Sequence, residues 1–260
     1  MTFHRTDEAW RAKLFCRAGV LGLALTLMGC APQGRIGSSP TPARILAAMK
    51  SACGGNAWDG VKGWHETGIV KLPGRPDMPH EIWHDMRTLK TAMINRNEGR
   101  VMRHAGYNGS AYWHVKPDGS VDIGHEPAKL RKHRRDAYLS SSGWFFPQRF
   151  PASISQTGTW LIDGTPHHVL RIAPTEADPF DLWVDAGTYR IRKIIAGEEY
   201  AELSDYKMFG GICSATIGRQ GDGNPAHEIV LEVRTIETSK AIPAASFEPP
   251  VSAVGQLPSR

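Results

Sequence analysis

The chain predicts an α+β fold, mainly antiparallel β, in which one strongly curved sheet carries a few helices on one side. Three observations predict it. From Val61 onward, short segments rich in aromatic and β-branched residues follow one another at regular spacing. Turn dipeptides, Asn108-Gly109, Asp118-Gly119, Asp163-Gly164 and Ala186-Gly187, separate them. Only two stretches read as helices, and so many short strands make a sheet large enough to curl. At 260 residues, 41% hydrophobic and 22% charged, the composition is that of a globular protein and excludes a disordered or fibrous one.

The first 29 residues have the parts of a secretory signal. Arg11, Lys13 and Arg17 form the basic start, and Val20–Gly29 the apolar core, which is far short of the ~20 residues that span a bilayer. Leu27-Met28-Gly29-Cys30 resembles a bacterial lipobox, in which Cys30 is lipidated and becomes the new N-terminus; an ordinary cleaved signal, or an uncleaved anchor, beside a chance cysteine is the plain alternative. The residues are then organised as a signal peptide over 1–29, a lipidated Cys30 with a Gly/Ser/Pro-rich tether over 30–41, a folded domain over 42–250 and a tail over 251–260. The expected location is the bacterial cell envelope, on the periplasmic face, as an outer-membrane lipoprotein held to the inner leaflet by the lipid on Cys30. The formal charge of +5 falls to +3 once the signal is removed, too little to argue for nucleic acid.

Within the domain, Thr41 caps and Pro42 opens a short helix. Its apolar stripe is Ile45, Leu46, Met49 and Cys53, and Gly54-Gly55 stop it. Strands follow at Gly63–Leu72, Gly99–Tyr107, Ser110–Pro117, Thr159–Gly164, His167–Pro174, Phe180–Ala186, Tyr189–Gly197, Tyr200–Phe209 and His227–Glu237. A second helix is expected within Glu126–Phe146, opening at Pro127 and ending near Gly143. Gly218–Gly223 lies between strands rather than before a helix, so it is expected to be a long hairpin turn and not a phosphate loop. Cys53 and Cys213 either pair in an envelope where disulfides persist or stay as two buried thiols.

Several segments are similar to members of the LolA/LolB-like superfamily of periplasmic lipoprotein-sorting and lipid-binding domains. They are Gly54–Leu72, Trp83–Thr88, Gly106–Trp113, Asp136–Phe150, Leu182–Lys193, Asp205–Ile212 and Phe247–Pro250, spread over nearly the whole chain after Cys30. The resemblance is to an uncharacterised lipoprotein branch of that group, and its motifs are turns and strand ends rather than catalytic signatures. It implies an unclosed (half) β-barrel with helices on its concave side and an apolar cavity for the acyl chains of a lipid or lipoprotein. It implies neither an enzyme nor a cofactor.

One motif argues otherwise. His80-Glu81-Ile82-Trp83-His84 matches the H-E-x-x-H of zinc hydrolases, with His80 and His84 as ligands and Glu81 as base. The chemistry needs a helix, where residues four apart lie ~5–6 Å from each other. On a strand the same pair is separated by ~13 Å. Periodicity over 79–95 slightly favours a helix, whereas the hairpin-length loop after the preceding strand and the resemblance of Trp83–Thr88 favour a strand, and a strand is the expectation. No third ligand is patterned, and neither G-x-S-x-G nor any other nucleophilic constellation is present.

Two sets of residues are expected at a binding surface. Trp64, Trp83, Trp113, Trp144, Phe145, Trp160 and Trp183 are expected to line the concave cavity, with ordinary core as their default. Lys129, Arg131, Lys132, Arg134 and Arg135 are expected on the second helix facing anionic headgroups, with a solvated helix face as the alternative.

Overall fold

A computed structural model describes residues 40–238 and 240–250, which belong to one compact unit. The signal, Cys30, most of the tether and the 251–260 tail lie outside the described residues. Helix α1 (Pro42–Ala52) starts as its residues dictate. Thr41 Oγ1 accepts from Arg44 N at 3.4 Å, Pro42 sits in the first turn, and Ile45 and Met49 are buried four residues apart. A 3-10 turn at Gly55–Gly60 then turns Trp58 inward.

Thirteen strands build a single antiparallel sheet. β1 (Gly63–Lys71), β2 (Met78–Asp85), β3 (Lys90–Asn97), β4 (Arg100–Tyr107), β5 (Tyr112–Val115) and β6 (Val121–Gly124) form one meander. After helix α2 (Pro127–Ser140) come β7 (Ala152–Ile162), β8 (Thr165–Pro174), β9 (Phe180–Asp185), β10 (Ile191–Ala196), β11 (Glu199–Phe209), β12 (Ile212–Gly221) and β13 (Ile229–Glu237). The second meander folds back until β13 pairs with β1, giving the order 6-5-4-3-2-1-13-12-11-10-9-8-7. The sheet does not close. Its free edges are β6 and β7, the two strands that α2 connects.

Curvature is written into the register. Pairing shifts by one extra residue at Arg234 on β13 beside β1, at Met102 on β4 beside β3, at Thr157 on β7 and at Arg192 on β10, and each extra residue bends the strand that carries it. At Gly68 the neighbouring β13 backbone comes so close that a Cβ would stand 2.2 Å from the Glu232 carbonyl oxygen. The β7–β8 hairpin turns on Asp163-Gly164, both with positive φ (49° and 78°), and the β3–β4 hairpin on Glu98-Gly99 with the same pair of angles.

Residues 78–85 are strand, as the context of the segment predicts, and β3 follows them. Two sequence-based expectations need correction here. Helix α2 stops at Ser140, because Ser142 adopts a left-handed conformation (φ 46°) and Gly143 lies under the Tyr138 ring, where a Cβ would come within 2.5 Å; a 3-10 turn, Gly143–Phe145, follows. Gly218–Gly221 is the end of β12, so the turn after it is shorter than expected.

The core lies between the concave face and the helices. Trp64 of β1, Leu170 and Ile172 of β8, and Phe180, Leu182 and Val184 of β9 meet Ile45, Met49, Trp58, Tyr138, Trp144, Phe146 and Phe150. On the outer face a smaller cluster forms where the C-terminal segment returns: Phe247, fully buried, covers Trp113 and Ala92, and Trp113 Nε1 donates to the Phe247 carbonyl at 2.9 Å.

Candidate functional site

The concave interior is built by strand alternation. In β9, Phe180, Leu182 and Val184 are buried while Asp181, Trp183 and Asp185 are less so. The same period on β1 and β2 puts Trp64 opposite His84, Glu66 opposite Ile82 and Gly68 opposite His80, all on one face. Helix α2 and the residues after it supply the other wall. Tyr138 and Trp144 each pack on Phe180, with ring centroids 6.0 and 6.3 Å away, and Trp58 stacks on Trp64 at 6.3 Å and tilts against Phe145 at 5.1 Å. These aromatic side chains fill the interior with the protein's own atoms.

Of the aromatic residues expected to line a cavity, Trp64, Trp144 and Phe145 belong to this interior. The others do not. Trp83 is one residue from His84 and therefore points outward, stacked on His65 (5.3 Å, 3°). Trp113 is sealed under Phe247 on the outer face. Trp183 alternates with buried Leu182 and Val184, and Trp160, 58% exposed, stands near the end of edge strand β7. The signal that separates them is parity with neighbouring apolar residues, since successive strand residues face opposite sides.

The interior also holds polar groups. Glu66 lies between Ile82 and Ile236 on the neighbouring strands and accepts from Trp64 Nε1 at 3.1 Å; burial pushes its carboxyl up to about 7. His80 Nδ1 bonds Asn95 Oδ1 at 2.8 Å, and burial pushes the His84 imidazole down to about 3. His80 Nε2, His84 Nδ1, Tyr138 OH, Ser141 Oγ and Trp144 Nε1 are buried with no protein partner among the described residues. Such atoms mark where an interior is polar enough to receive another hydrogen-bonding group.

The H-E-x-x-H motif is divided by the sheet. His80 and His84 face inward at strand spacing, while Glu81 faces outward, bonded to Arg96 Nη1 at 2.7 Å and to His65 Nε2 at 3.4 Å. Among the described residues, no three His, Cys, Asp or Glu side chains are grouped to hold a metal ion. The zinc reading therefore loses the geometry on which it depended.

Helix α2 spans the opening between the free edges. On one side His133 stacks on Tyr112 (4.7 Å, 16°) and Arg134 Nε donates to Tyr107 OH at 3.3 Å. On the other, Arg131 meets Asp178 at 3.1 Å, Arg134 meets Glu176, and Lys132 and Arg135 share Glu199 at the β10–β11 turn. Lys129 pairs with Glu126 at 3.5 Å. All five basic residues expected to face anionic lipid have a carboxylate partner within the fold, and Arg135 is buried. Cys53 and Cys213 are buried free thiols, joined by a backbone bond from Cys213 N to Cys53 O at 2.9 Å. Burial, and then the neighbouring thiol, pushes the Cys53 thiol up to about 12.

No protein-family model matches the chain, and no curated protein does. Solved structures do. A LolA superfamily protein from Nitrosomonas europaea superposes with a TM-score of 0.54 at 13% identity, over 81% of this chain and 99% of that one. A putative outer membrane lipoprotein-sorting protein domain from Vibrio parahaemolyticus gives 0.53 at 12% identity, over 78% and 94%. A DUF1329 family protein from Desulfovibrio piger also gives 0.53, at 11% identity, over 78% and 95%. The fold is LolA-like.

Proposed function

We propose that this is a non-enzymatic, lipid-anchored domain of the bacterial envelope that holds acyl chains of a lipid or lipoprotein between the concave sheet and α2. One observation carries the reading. The helix that joins the two free edges covers an aromatic interior, and beside its buried Tyr138 and Arg135 it is tied to the β8–β11 rim by ion pairs between mostly exposed side chains. Exposed pairs contribute ~0–1 kcal/mol each. Displacing α2 uncovers apolar surface, and an acyl chain buried there is stabilised by ~0.8 kcal/mol per CH₂. The fold shared with a lipoprotein-sorting domain supports the same reading.

The test is uptake of a fluorescent fatty acid by purified protein, with mass spectrometry of any lipid that co-purifies. Saturable uptake that becomes faster in a Glu176→Ala/Asp178→Ala variant is expected. A second reading, a structural envelope domain without ligand, is favoured by the filled interior; absence of uptake in both proteins would establish it and overturn ours. Attachment through Cys30 is tested by palmitate labelling, which is expected in the native chain and absent in Cys30→Ala.

A further inference from the structure

The sheet has a second feature, on a different part of its wall. β10 pairs with β11 only from Lys193–Glu202 to Ala196–Glu199, although β11 runs on to Phe209 beside β12. Beyond the Lys193–Glu202 pair the two strands part, and Tyr206 bridges the gap through its hydroxyl, which donates to the Ile191 carbonyl at 2.6 Å. The split holds a half-open pocket of about 390 Å³ between the β9–β10 turn and β11.

Three arginines, Arg190, Arg192 and Arg219, are among the residues that line it, together with Ser204. Two carboxylates are also present, and both are already engaged. Asp185 Oδ1 accepts from Gly187 N at 2.9 Å, Thr188 N at 2.6 Å and Thr188 Oγ1 at 3.0 Å, which closes its own turn. Glu202 is shared between Arg192 at 3.7 Å and Lys193 at 3.6 Å. Arg219 pairs with Glu228 at 2.7 Å. Arg190 differs from its neighbours. Its guanidinium lies 5.4 Å from the Tyr206 ring centroid, and no described carboxylate pairs with it. Held on an aromatic face, it presents its planar donors without a competing anion.

We infer that this split is a binding site for a phosphate ester of a small polyol, of the glycerol phosphate type, free or as a lipid headgroup. Guanidinium forks match phosphate oxygens in pairs. The volume lies at the lower end of the ~300–1,000 Å³ typical of small organic ligands, more than a bare phosphate ion needs. The hydroxyl of Ser204 and the carboxylate of Glu202 suit the hydroxyls of a polyol and not an acyl chain. Its lining shares none of the aromatic residues of the interior, and the site does not rest on the acyl-chain reading.

The test is calorimetric titration of the full-length protein with glycerol 3-phosphate, with glycerol and inorganic phosphate as comparison ligands. Glycerol 3-phosphate is expected to bind saturably and more tightly than either comparison ligand, and more weakly as salt rises. Arg190→Ala should weaken binding about tenfold or more, as expected for loss of a charge-assisted bond, and Arg190→Ala/Arg219→Ala further still. Both side chains are exposed at the pocket, so thermal unfolding should barely move; Arg190→Gln provides a second variant that retains hydrogen-bonding bulk without the charge. A short-chain phosphatidylglycerol that binds more tightly than the monoester identifies a lipid headgroup as the source, and the reverse order identifies a free ester. No binding by the native protein, or binding equal to that of inorganic phosphate, would overturn the site. So would affinity unchanged in the double variant.

Discussion

Glu66 shows what a single burial event does to the balance of the fold. Its carboxyl faces two isoleucines and one indole N–H, and its folded value of about 7 lies above the ordinary 4.5. The group stays protonated in the fold after the unfolded chain has ionised, so its contribution is fully present below about 4.5 and is lost as pH rises to about 7. The loss is on the order of 3 kcal/mol. Glu66→Gln keeps the shape and removes the ionisation; its melting temperature should exceed that of the native chain at pH ~8 and match it at pH ~4, by scanning calorimetry. His84 has the opposite sign. Its folded value of about 3 lies below the ordinary 6.5, so its contribution is present above 6.5 and lost on acidification. Neither shift can be read from the letters, because both depend on which face the residue takes. Gly68 belongs to the same scale: Gly68→Ala puts a methyl group against the Glu232 carbonyl and should cost ~1–3 kcal/mol in urea unfolding.

Among the elements, α2 is the one whose role differs most from its composition. A run of five basic residues reads as a surface for anions, yet acids more than forty residues away in sequence meet four of them. The pairs are not equal. Arg135 is 7% exposed at its side chain and depends on Glu199 and Asp136, whereas Arg131 is 51% exposed. Glu199→Ala should therefore destabilise by ~1–3 kcal/mol through the partly unpaired buried charge, while Asp178→Ala should cost less than ~1 kcal/mol. Equal losses in chemical denaturation would show that burial does not rank these pairs. Helix α1 was legible to within a residue, since Thr41, Pro42 and Gly54 are local signals that act within one turn. The end of α2 was not, because Gly143 breaks the helix by packing against Tyr138, which is a tertiary contact. At the other end of α1, the free thiols Cys53 and Cys213 are buried where the helix meets β12. Unfolded protein isolated from an oxidising compartment should therefore alkylate at both with and without reductant, whereas two thiols gained on reduction would show that they pair.

For the whole molecule, the curved antiparallel sheet was legible from spacing and turn chemistry, and its order was not. Strand segments announce themselves by alternation over a few residues, but the pairing that joins the two meanders brings Glu66 beside Ile236, a contact with no local signature. The tryptophans divided for the same reason. Trp64 and Trp83 have similar flanks, and only the register shared by β1 and β2 decides that one enters the interior and the other leaves it. The outer face completes the molecule through its last described residues. Phe247, with no exposed surface, seals Trp113 and Ala92, and Ile242 packs beside them. Removing that ring leaves a cavity over a buried indole, so Phe247→Ala should cost ~3–5 kcal/mol in chemical denaturation. The indole offers a local reporter of the same event. Trp113 is 1% exposed and bonded to the backbone of residue 247, so the variant's folded-state emission should shift to the red as water reaches the ring. A stability loss below ~1 kcal/mol with unchanged emission would mean that the C-terminal segment lies on the sheet without holding it.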